Sequence, residues 1–323
     1  MVKKRTKTVL VVLLALVLVL GLAAFGTAKH YLGKIDRIDH DEIEVISPED
    51  ESFETDDPNA DAGDEQDEEM AAANSLGDED LINILLVGQD TRNGKRARSD
   101  SMILCSLNPD TKELSMISFL RDTYVQFPTG YSNNRLNAAY AFGGFPMLYG
   151  VLEENFGVHV DGGIEVDFTA FEQIIDLLGG VDISLTKAEG EWMGLPAGMQ
   201  HMDGKTALNY ARIRKLDSDF GRTERQRNVL TALFHKFRGS DVSTILNLAN
   251  QALGMVKTDM SDGELMKLVT KLAPALSQLQ LSTHHVPGDG DYQLTTRRGM
   301  SVLVPDMAAV REALKTEYLP LGE

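Results

Sequence analysis

An arginine-rich stretch at residues 210–226 contains the residue types whose spacing most clearly indicates chemistry. Arg212 and Arg214 are two residues apart, so both side chains would point to one face of an extended segment. If the following stretch is helical, three more side chains share a second face: Arg222, Arg225 and Gln226. Guanidinium groups bind phosphate oxygens through paired hydrogen bonds. The stretch therefore predicts a binding site for phosphate or pyrophosphate.

Two aspartates at the ends of predicted strands are candidate metal ligands. Asp90 follows the first strand of the predicted domain, and Asp100 precedes the second. Ligands of α/β sheets bind where strands end, and carboxylate oxygens suit Mg²⁺ and Mn²⁺. The alternative is that each aspartate is a turn or cap residue, which is the usual role of aspartate at such positions.

Basic residues accompany these aspartates along the chain. Arg98 precedes Asp100, and the third predicted strand is followed by Arg121 and Asp122. Such alternating charges would suit a metal-bound pyrophosphate, because the metal and the arginines share the charge of the phosphates. The competing interpretation is a network of structural salt bridges, because such networks also cluster charged residues. The acidic partners in that network would be Asp122, Asp217, Asp219 and Glu224.

The elements that must position these residues include both strands and helices. Apolar runs predict strands at residues 81–87, 102–107 and 114–119, and the turn at 108–110 joins the last two as a hairpin. An amphipathic run predicts a helix at 166–178, and another helix continues from the arginine-rich stretch. The pattern predicts an α/β fold, in which a single α/β/α domain has a central mixed sheet flanked by helices.

An N-terminal apolar segment indicates where the domain is located. Residues 8–28 are almost entirely Val, Leu, Ala and Gly, and a basic tail at residues 1–7 precedes them. This length approaches the roughly 20 residues that a membrane-spanning helix needs, and the preceding positive charge keeps the N-terminus cytoplasmic. We therefore expect a transmembrane signal anchor in the cell membrane, with the domain extracytoplasmic. A cleaved signal peptide is the competing interpretation, although its apolar core is usually shorter.

The acidic charge of the chain is concentrated between this anchor and the domain. About twenty acidic residues and one arginine lie between Asp36 and Asp80, whereas the chain from residue 81 onward is close to neutral. This composition predicts an acidic disordered linker at residues 29–80, followed by a domain at residues 81–323. The charge argues against a nucleic acid partner. The single cysteine, Cys105, lies in an apolar run and is predicted to be a core residue.

Six short motifs occur in order along the domain. They are residues 87–92 (VGQDTR), 98–102 (RSDSM), 119–123 (FLRDT), 135–144 (RLNAAYAFGG), 178–181 (LGGV) and 212–226 (RIRKLDSDFGRTERQ). In this combination the sequence resembles the LytR-CpsA-Psr family of bacterial cell-wall glycopolymer ligases. The resemblance covers a motif core at residues 81–238, and the basic tail and apolar segment match the topology of the family.

The resemblance implies an Mg²⁺-dependent, membrane-anchored phosphotransferase. Such an enzyme moves a glycopolymer, for example teichoic acid, capsule or another secondary wall polymer, from a polyprenyl-pyrophosphate carrier to peptidoglycan and releases polyprenyl phosphate. Asp90 and Asp100 match the metal-binding aspartates of the family. Six residues match its pyrophosphate-binding positions: Arg98, Arg121, Arg212, Arg214, Arg222 and Gln226. Asp219 matches a carboxylate of the site, and either Asp219 or Asp122 could accept the proton of the attacking hydroxyl.

A polyprenyl carrier also requires an apolar trough. Eight side chains on two predicted helices could line one: Phe168, Phe171, Ile174, Ile175, Leu178, Val229, Leu230 and Leu233. Ordinary core packing is the alternative for such stripes. Two other functions remain open on the sequence: hydrolysis of a polyprenyl pyrophosphate, which needs the same residues, and membrane-tethered sensing of a glycolipid without turnover.

Overall fold

A computed structural model describes most of the chain beyond the N-terminal anchor. The described residues are 32–40, 43–50, 72–77, 80–89, 97–213, 216, 219–238, 251–272 and 278–321. The predicted anchor and cytoplasmic tail lie outside these residues. Within them, no helix combines the length and apolarity needed to cross a membrane.

The strands of the described residues form one large sheet and three two-stranded sheets. In chain order they are β1 (Asp36–Arg37), β2 (Ile82–Gln89), β3 (Ser99–Asn108), β4 (Glu113–Phe119), β5 (Tyr124–Val125), β6 (Asn134–Arg135), β7 (Gly162–Asp167), β8 (Val181–Leu185), β9 (Gly198–Met202), β10 (Lys257–Thr258), β11 (Gln280–Val286), β12 (Tyr292–Arg297) and β13 (Met300–Pro305). The large sheet has the order β1-β10-β7-β2-β3-β4-β11, and β5–β6, β8–β9 and β12–β13 pair separately. The large sheet is mixed, because β2 is parallel to β7 and antiparallel to β3.

Helices cover both faces of the large sheet. They are α1 (Asn137–Phe156), α2 (Phe168–Leu177), α3 (Lys187–Met193), α4 (Gly204–Ala211), α5 (Asp219–Arg238), α6 (Asp262–Leu272) and α7 (Met307–Ala313), which continues into a π-helix at Leu314–Tyr318. One buried apolar cluster joins the sheet to α2, α4, α5 and α6, and a second joins its other face to α1 and α7. This arrangement confirms the predicted α/β class and its central mixed sheet.

The apolar runs of the sequence form the centre of the sheet. Residues of β2 and β3 alternate between the two clusters, so both faces of these strands are covered, as a continuous apolar run predicts. The predicted hairpin of β3 and β4 is present, and Asn108 Oδ1 accepts hydrogen bonds from the backbone N–H groups of Asp110 and Thr111. Cys105 is buried in the first cluster, and burial raises the pKa of its thiol to about 12.

The boundary between β7 and α2 differs from the predicted helix at residues 166–178. Val166 and Asp167 end β7, and α2 begins at Phe168. The physical reason is a cap: Asp167 is extended, and its carboxylate accepts a hydrogen bond from the N–H of Ala170. The helix therefore starts where β7 leaves the sheet, beside the ends of β2 and β3.

Parts of the predicted disordered linker pack on the domain. Leu32 and Ile35 are about 95% buried in the first cluster, and β1 pairs in parallel with β10. Further along, the N–H of Ile46 donates to the carbonyl oxygen of Phe142 at 2.8 Å, and the N–H of Ala73 donates to that of Glu154 at 2.7 Å. The difference has a simple cause, since an acidic average composition conceals single apolar residues that can be buried.

We expect that deleting residues 51–69 leaves the domain folded. The segments on either side are attached to α1 at Phe142 and Glu154. Even with extended backbone at the kink of Gly143 and Gly144, these two residues are at most about 22 Å apart. The seven residues that remain between the two attachment points can span about 26 Å, so the shortened connection still reaches. The midpoint of thermal unfolding of the full chain should change by at most a few degrees. A large fall in the unfolding midpoint would contradict this result.

Candidate functional site

A cavity of about 140 Å³ lies between the sheet and the helices α2, α4 and α5. Its lining changes in character from one end to the other. Apolar side chains of β2, β3, β7 and the three helices line most of it, including Leu86, Ile103, Ile164 and Leu233. Polar and charged side chains are gathered where the strands end: Asp100, Asp167, Arg212, Arg222 and Gln226. We call this charged end the mouth.

The predicted lipid trough corresponds closely to the apolar part of this cavity. Seven of its eight proposed residues line the cavity: Phe168, Phe171, Ile174, Ile175, Leu178, Leu230 and Leu233. The eighth, Val229, is fully buried in the first cluster and is an ordinary core residue. Sequence spacing therefore identified the two helix faces, because both turn toward the same side of the sheet.

Asp100 occupies an irregular position in the sheet. Gly88 pairs with Ser101 and Gln89 pairs with Ser99, so Asp100 is the extra residue of a β-bulge between β2 and β3. A bulge redirects one side chain out of the regular alternation, and here the carboxylate lies at the mouth. Arg121 Nη1 donates a hydrogen bond to Asp100 Oδ1 at 3.2 Å. Two residues of the predicted site are therefore in direct contact.

A chain of ion pairs joins Arg121 to residues that are not among the described lining of the cavity. Arg121 Nε lies 3.4 Å from Asp122 Oδ2, and Arg135 Nε lies 3.5 Å from Asp122 Oδ1. Arg135 is 96% buried and also donates to the carbonyl oxygen of Ser301 at 2.7 Å. Because both carboxylate oxygens of Asp122 face guanidinium groups, Asp122 holds Arg121 in place. Arg135 had no assigned role in the sequence, although it begins one of the six motifs.

Arg212 reaches the mouth from a helix end. It is the C-cap residue of α4, with an exposed side chain, and its guanidinium carbon lies 4.5 Å above the ring centroid of Phe168. The extended conformation proposed for residues 212–214 is therefore wrong at Arg212, because α4 ends there. The contact with Phe168 joins the charged mouth to the apolar lining, since the ring of Phe168 also lines the cavity. Arg214 lies outside the described residues.

Helix α5 contributes two residues to the mouth. Arg222 and Gln226 are four residues apart on one face of the helix, and Arg222 is 97% buried. Arg225 was predicted to share this face, but it contacts other partners. Its Nη1 lies 3.5 Å from Glu189 Oε1, and its Nη2 donates to the carbonyl oxygen of Ile213 at 2.9 Å. Arg225 therefore has a structural role. For this arginine, the competing interpretation of a structural salt bridge is the correct one.

The remaining predicted residues are less closely defined. The guanidinium carbon of Arg98 lies 5.7 Å from the ring centroid of Phe142, and Arg98 is not among the described residues that line the cavity. Asp219 is the first residue of α5, and its side chain is outside the described part of the structure. Asp90 also lies outside, directly after the last residue of β2. Their predicted roles stay predictions.

The mouth can be compared with the requirements of Mg²⁺. Within the described residues, no three side chains of Asp, Glu, His or Cys are close enough together to hold a metal ion. Asp100 has the oxygen ligands that Mg²⁺ prefers, and its side chain is 24% exposed at the mouth. Asp167 also lines the mouth, but its carboxylate caps α2. Asp100 therefore fits a metal site whose second predicted ligand, Asp90, is not described.

Fold and site together define an α/β domain in which guanidinium, amide and carboxylate groups surround the mouth of an apolar cavity. The chain belongs to the LytR_cpsA_psr family, whose sequence pattern it matches over residues 49–317.

Known relatives of the chain have names that refer to wall polymers. It is similar to the polyisoprenyl-teichoic acid–peptidoglycan teichoic acid transferase TagU of Oceanobacillus iheyensis, with 36% identity over 224 residues, 66% of this chain and 69% of that protein. The TagU of Bacillus subtilis is 32% identical over 248 residues, 75% of this chain and 74% of that protein. A solved structure of TagT bound to LIIa-WTA superimposes with a TM-score of 0.60 and 25% identity, covering 80% of this chain and 94% of TagT.

Proposed function

We propose that this protein is a membrane-anchored phosphotransferase that moves a glycopolymer from a polyprenyl-pyrophosphate carrier to peptidoglycan. The observation that carries the proposal is the cavity, because its apolar lining suits an isoprenoid chain and its charged mouth suits the attached pyrophosphate. The names of the TagU relatives support the same donor and acceptor classes. The predicted anchor would hold the domain at the outer face of the cell membrane, where both substrates occur.

The residues at the mouth have separate tasks in the transfer. The acceptor hydroxyl attacks the phosphorus next to the sugar, and the bond from that phosphorus to the oxygen of the lipid phosphate breaks. Arg212 and Arg222 neutralise phosphoryl oxygens, and Gln226 donates a hydrogen bond to them. Arg121, which contacts Asp100 and Asp122, would bind the other phosphate of the pyrophosphate. Polyprenyl phosphate then leaves with the charge that the broken bond creates.

The proton of the attacking hydroxyl needs an acceptor. Asp122 is a poor candidate, because both of its oxygens already form ion pairs, one with Arg121 and one with Arg135. Asp219, at the start of α5, is the better one, as the resemblance to the family implies. In phosphoryl transfer, however, positioning and charge neutralisation contribute more than a base. We therefore assign most of the rate enhancement to the arginines.

We also propose that Asp100 holds Mg²⁺ together with Asp90, and Mn²⁺ is a chemically acceptable replacement. The bound ion would neutralise phosphate charge and orient the pyrophosphate. Asp100 also contacts Arg121. Loss of the Asp100 charge would therefore weaken both the binding of Mg²⁺ and the ion pair that holds Arg121.

The variant Asp100→Asn tests the metal assignment. We expect the Mg²⁺ concentration that gives half-maximal transfer to rise by at least about tenfold, because an amide is a weaker ligand than a carboxylate. Asp167→Asn is the matched control, since Asp167 lies at the same mouth and asparagine caps a helix equally well. An unchanged Mg²⁺ titration in Asp100→Asn would show that the metal binds elsewhere.

Hydrolysis and sensing are the alternatives to transfer. Hydrolysis uses the same mouth with water in place of the acceptor, and sensing uses it without turnover. The full chain should be incubated with a polyprenyl-pyrophosphate glycan, with and without peptidoglycan oligomers, and the products identified by mass spectrometry. A glycan joined to peptidoglycan through a phosphodiester is the expected product. Free glycan phosphate alone would favour hydrolysis, and binding without any product would favour the sensor.

A further inference from the structure

A hairpin formed by β12 and β13 borders the arginine side of the site. The N–H of Leu303 donates to the carbonyl oxygen of Asp122 at 2.9 Å, and Arg135 Nη2 donates to the carbonyl oxygen of Ser301 at 2.7 Å. Both contacts involve the residues that hold Arg121 in place. No hairpin residue is among the described residues that line the cavity. The hairpin therefore lies next to the charged mouth and outside the apolar cavity.

One face of this hairpin turns toward α5. Side chains alternate along a strand, so Tyr292, Leu294 and Thr296 share a face. Tyr292 stacks on Phe220, in the first turn of α5, with 5.2 Å between the ring centroids. Leu294 lies in the middle of a paired strand, opposite the buried Leu303, and is nevertheless 70% exposed. Phe220, Tyr292, Leu294 and Thr296 form what we call the hairpin face, an apolar and aromatic surface beside a charged site.

The chemistry of the proposed transfer determines which substrate this face meets. In phosphoryl transfer the attacking oxygen, the phosphorus and the leaving oxygen lie roughly in line. A lipid chain inside the cavity places the leaving lipid phosphate at the mouth. The attacking hydroxyl must then approach from outside the cavity. Arg121, Asp122 and the hairpin are not among its described lining residues, and Arg121 contacts Asp100 at the mouth.

We propose that the hairpin face binds the glycan strand of peptidoglycan, the acceptor. This inference rests on the proposed function. Sugar rings have C–H faces that pack on Tyr292, Phe220 and Leu294, and their hydroxyl groups suit the hydroxyl of Thr296. An acceptor held here would lie next to Asp122 and Arg135, the residues that hold Arg121.

The variant Leu294→Asn tests the proposal with little risk to the fold, because the side chain is mostly exposed. Binding of soluble peptidoglycan oligomers to the full chain in detergent should be measured by titration calorimetry. We expect the dissociation constant to rise about fivefold or more, since the leucine side chain is no longer buried against sugar. Binding of the polyprenyl-pyrophosphate donor should be unchanged. The matched control is Met199→Asn, because Met199 is a 68% exposed apolar residue on β9, in a different two-stranded sheet.

The outcomes separate this inference from the proposed function. Equal oligomer affinity in Leu294→Asn, Met199→Asn and the unmodified protein would overturn the hairpin face, and so would an unmodified protein that binds no oligomer. Weaker binding of Leu294→Asn to phospholipid vesicles, with oligomer affinity unchanged, would show instead that the hairpin contacts the membrane. Oligomer binding that depends on Leu294 in a protein without transfer activity would support the face and refute the transferase.

Discussion

Arg212→Ala is expected to lower the rate of glycopolymer transfer about 100- to 1,000-fold, the usual loss when a preorganised donor to a charged transition state is removed. Arg212 is exposed at the mouth, where it contacts Phe168 and faces the space that the pyrophosphate would occupy. The loss of stability should be about 1 kcal/mol at most, which is the range of an exposed cation–π contact. Single-turnover rates and thermal unfolding of the full chain measure the two effects.

Two further variants determine whether the effect is specific. Arg212→Lys should recover part of the rate, because lysine keeps the charge but loses the paired hydrogen bonds of the guanidinium group. Lys205→Ala removes an exposed positive charge from the same helix, α4, outside the described lining of the cavity, and should leave the rate unchanged. Transfer at the unmodified rate in Arg212→Ala would remove this residue from the site. A similar loss in Lys205→Ala would indicate a general effect of charge.

Leu230→Trp is expected to make activity depend on the length of the lipid chain. Leu230 lines the cavity from α5, and an indole ring there would fill part of its 140 Å³. If the filled cavity excludes only two methylene groups of the donor, the free energy of donor binding falls by about 1.6 kcal/mol. This loss corresponds to more than a tenfold decrease in kcat/KM. Donors with a long polyprenyl chain should therefore lose more than tenfold, whereas geranyl-linked donors should react nearly as before.

The comparison of donors makes this prediction specific to the cavity. Leu230→Met keeps the side-chain volume, so its kcat/KM with each donor should equal that of the unmodified protein. Thermal unfolding of Leu230→Trp gives the cost of overpacking separately. Equal losses with short and long donors would mean that the chain binds outside the cavity, and the lipid trough would then be ordinary core space.

Periodicity in the sequence predicted the elements of this fold better than it predicted side-chain partners. The apolar runs identified β2, β3 and β4 because these strands are covered on both faces. The spacing of residues 168–178 and 229–233 identified the cavity walls, apart from Val229. Both results depend on local geometry, in which the repeat of a helix or a strand fixes the direction of each side chain.

Contacts between distant segments could not be predicted in this way. The bulge that redirects Asp100 arises from the pairing of β2 with β3, and the burial of Arg135 depends on Ser301, 166 residues away. Arg225 was placed at the mouth by helical spacing, but the buried Glu189 on α3 binds it. Acidic composition likewise concealed Leu32 and Ile35, whose burial depends on a sheet edge far along the chain.

The central claim is that the phosphorus next to the sugar is transferred to peptidoglycan, and the fate of that phosphorus tests it most directly. A polyprenyl-pyrophosphate glycan should be prepared with ³²P at that position only, and incubated with the full chain, Mg²⁺ and peptidoglycan oligomers. We expect that the label becomes bound to peptidoglycan in the same amount as the glycan, while unlabelled polyprenyl phosphate is released. Label that appears on the released lipid, or only on free glycan phosphate while peptidoglycan stays unlabelled, would contradict it.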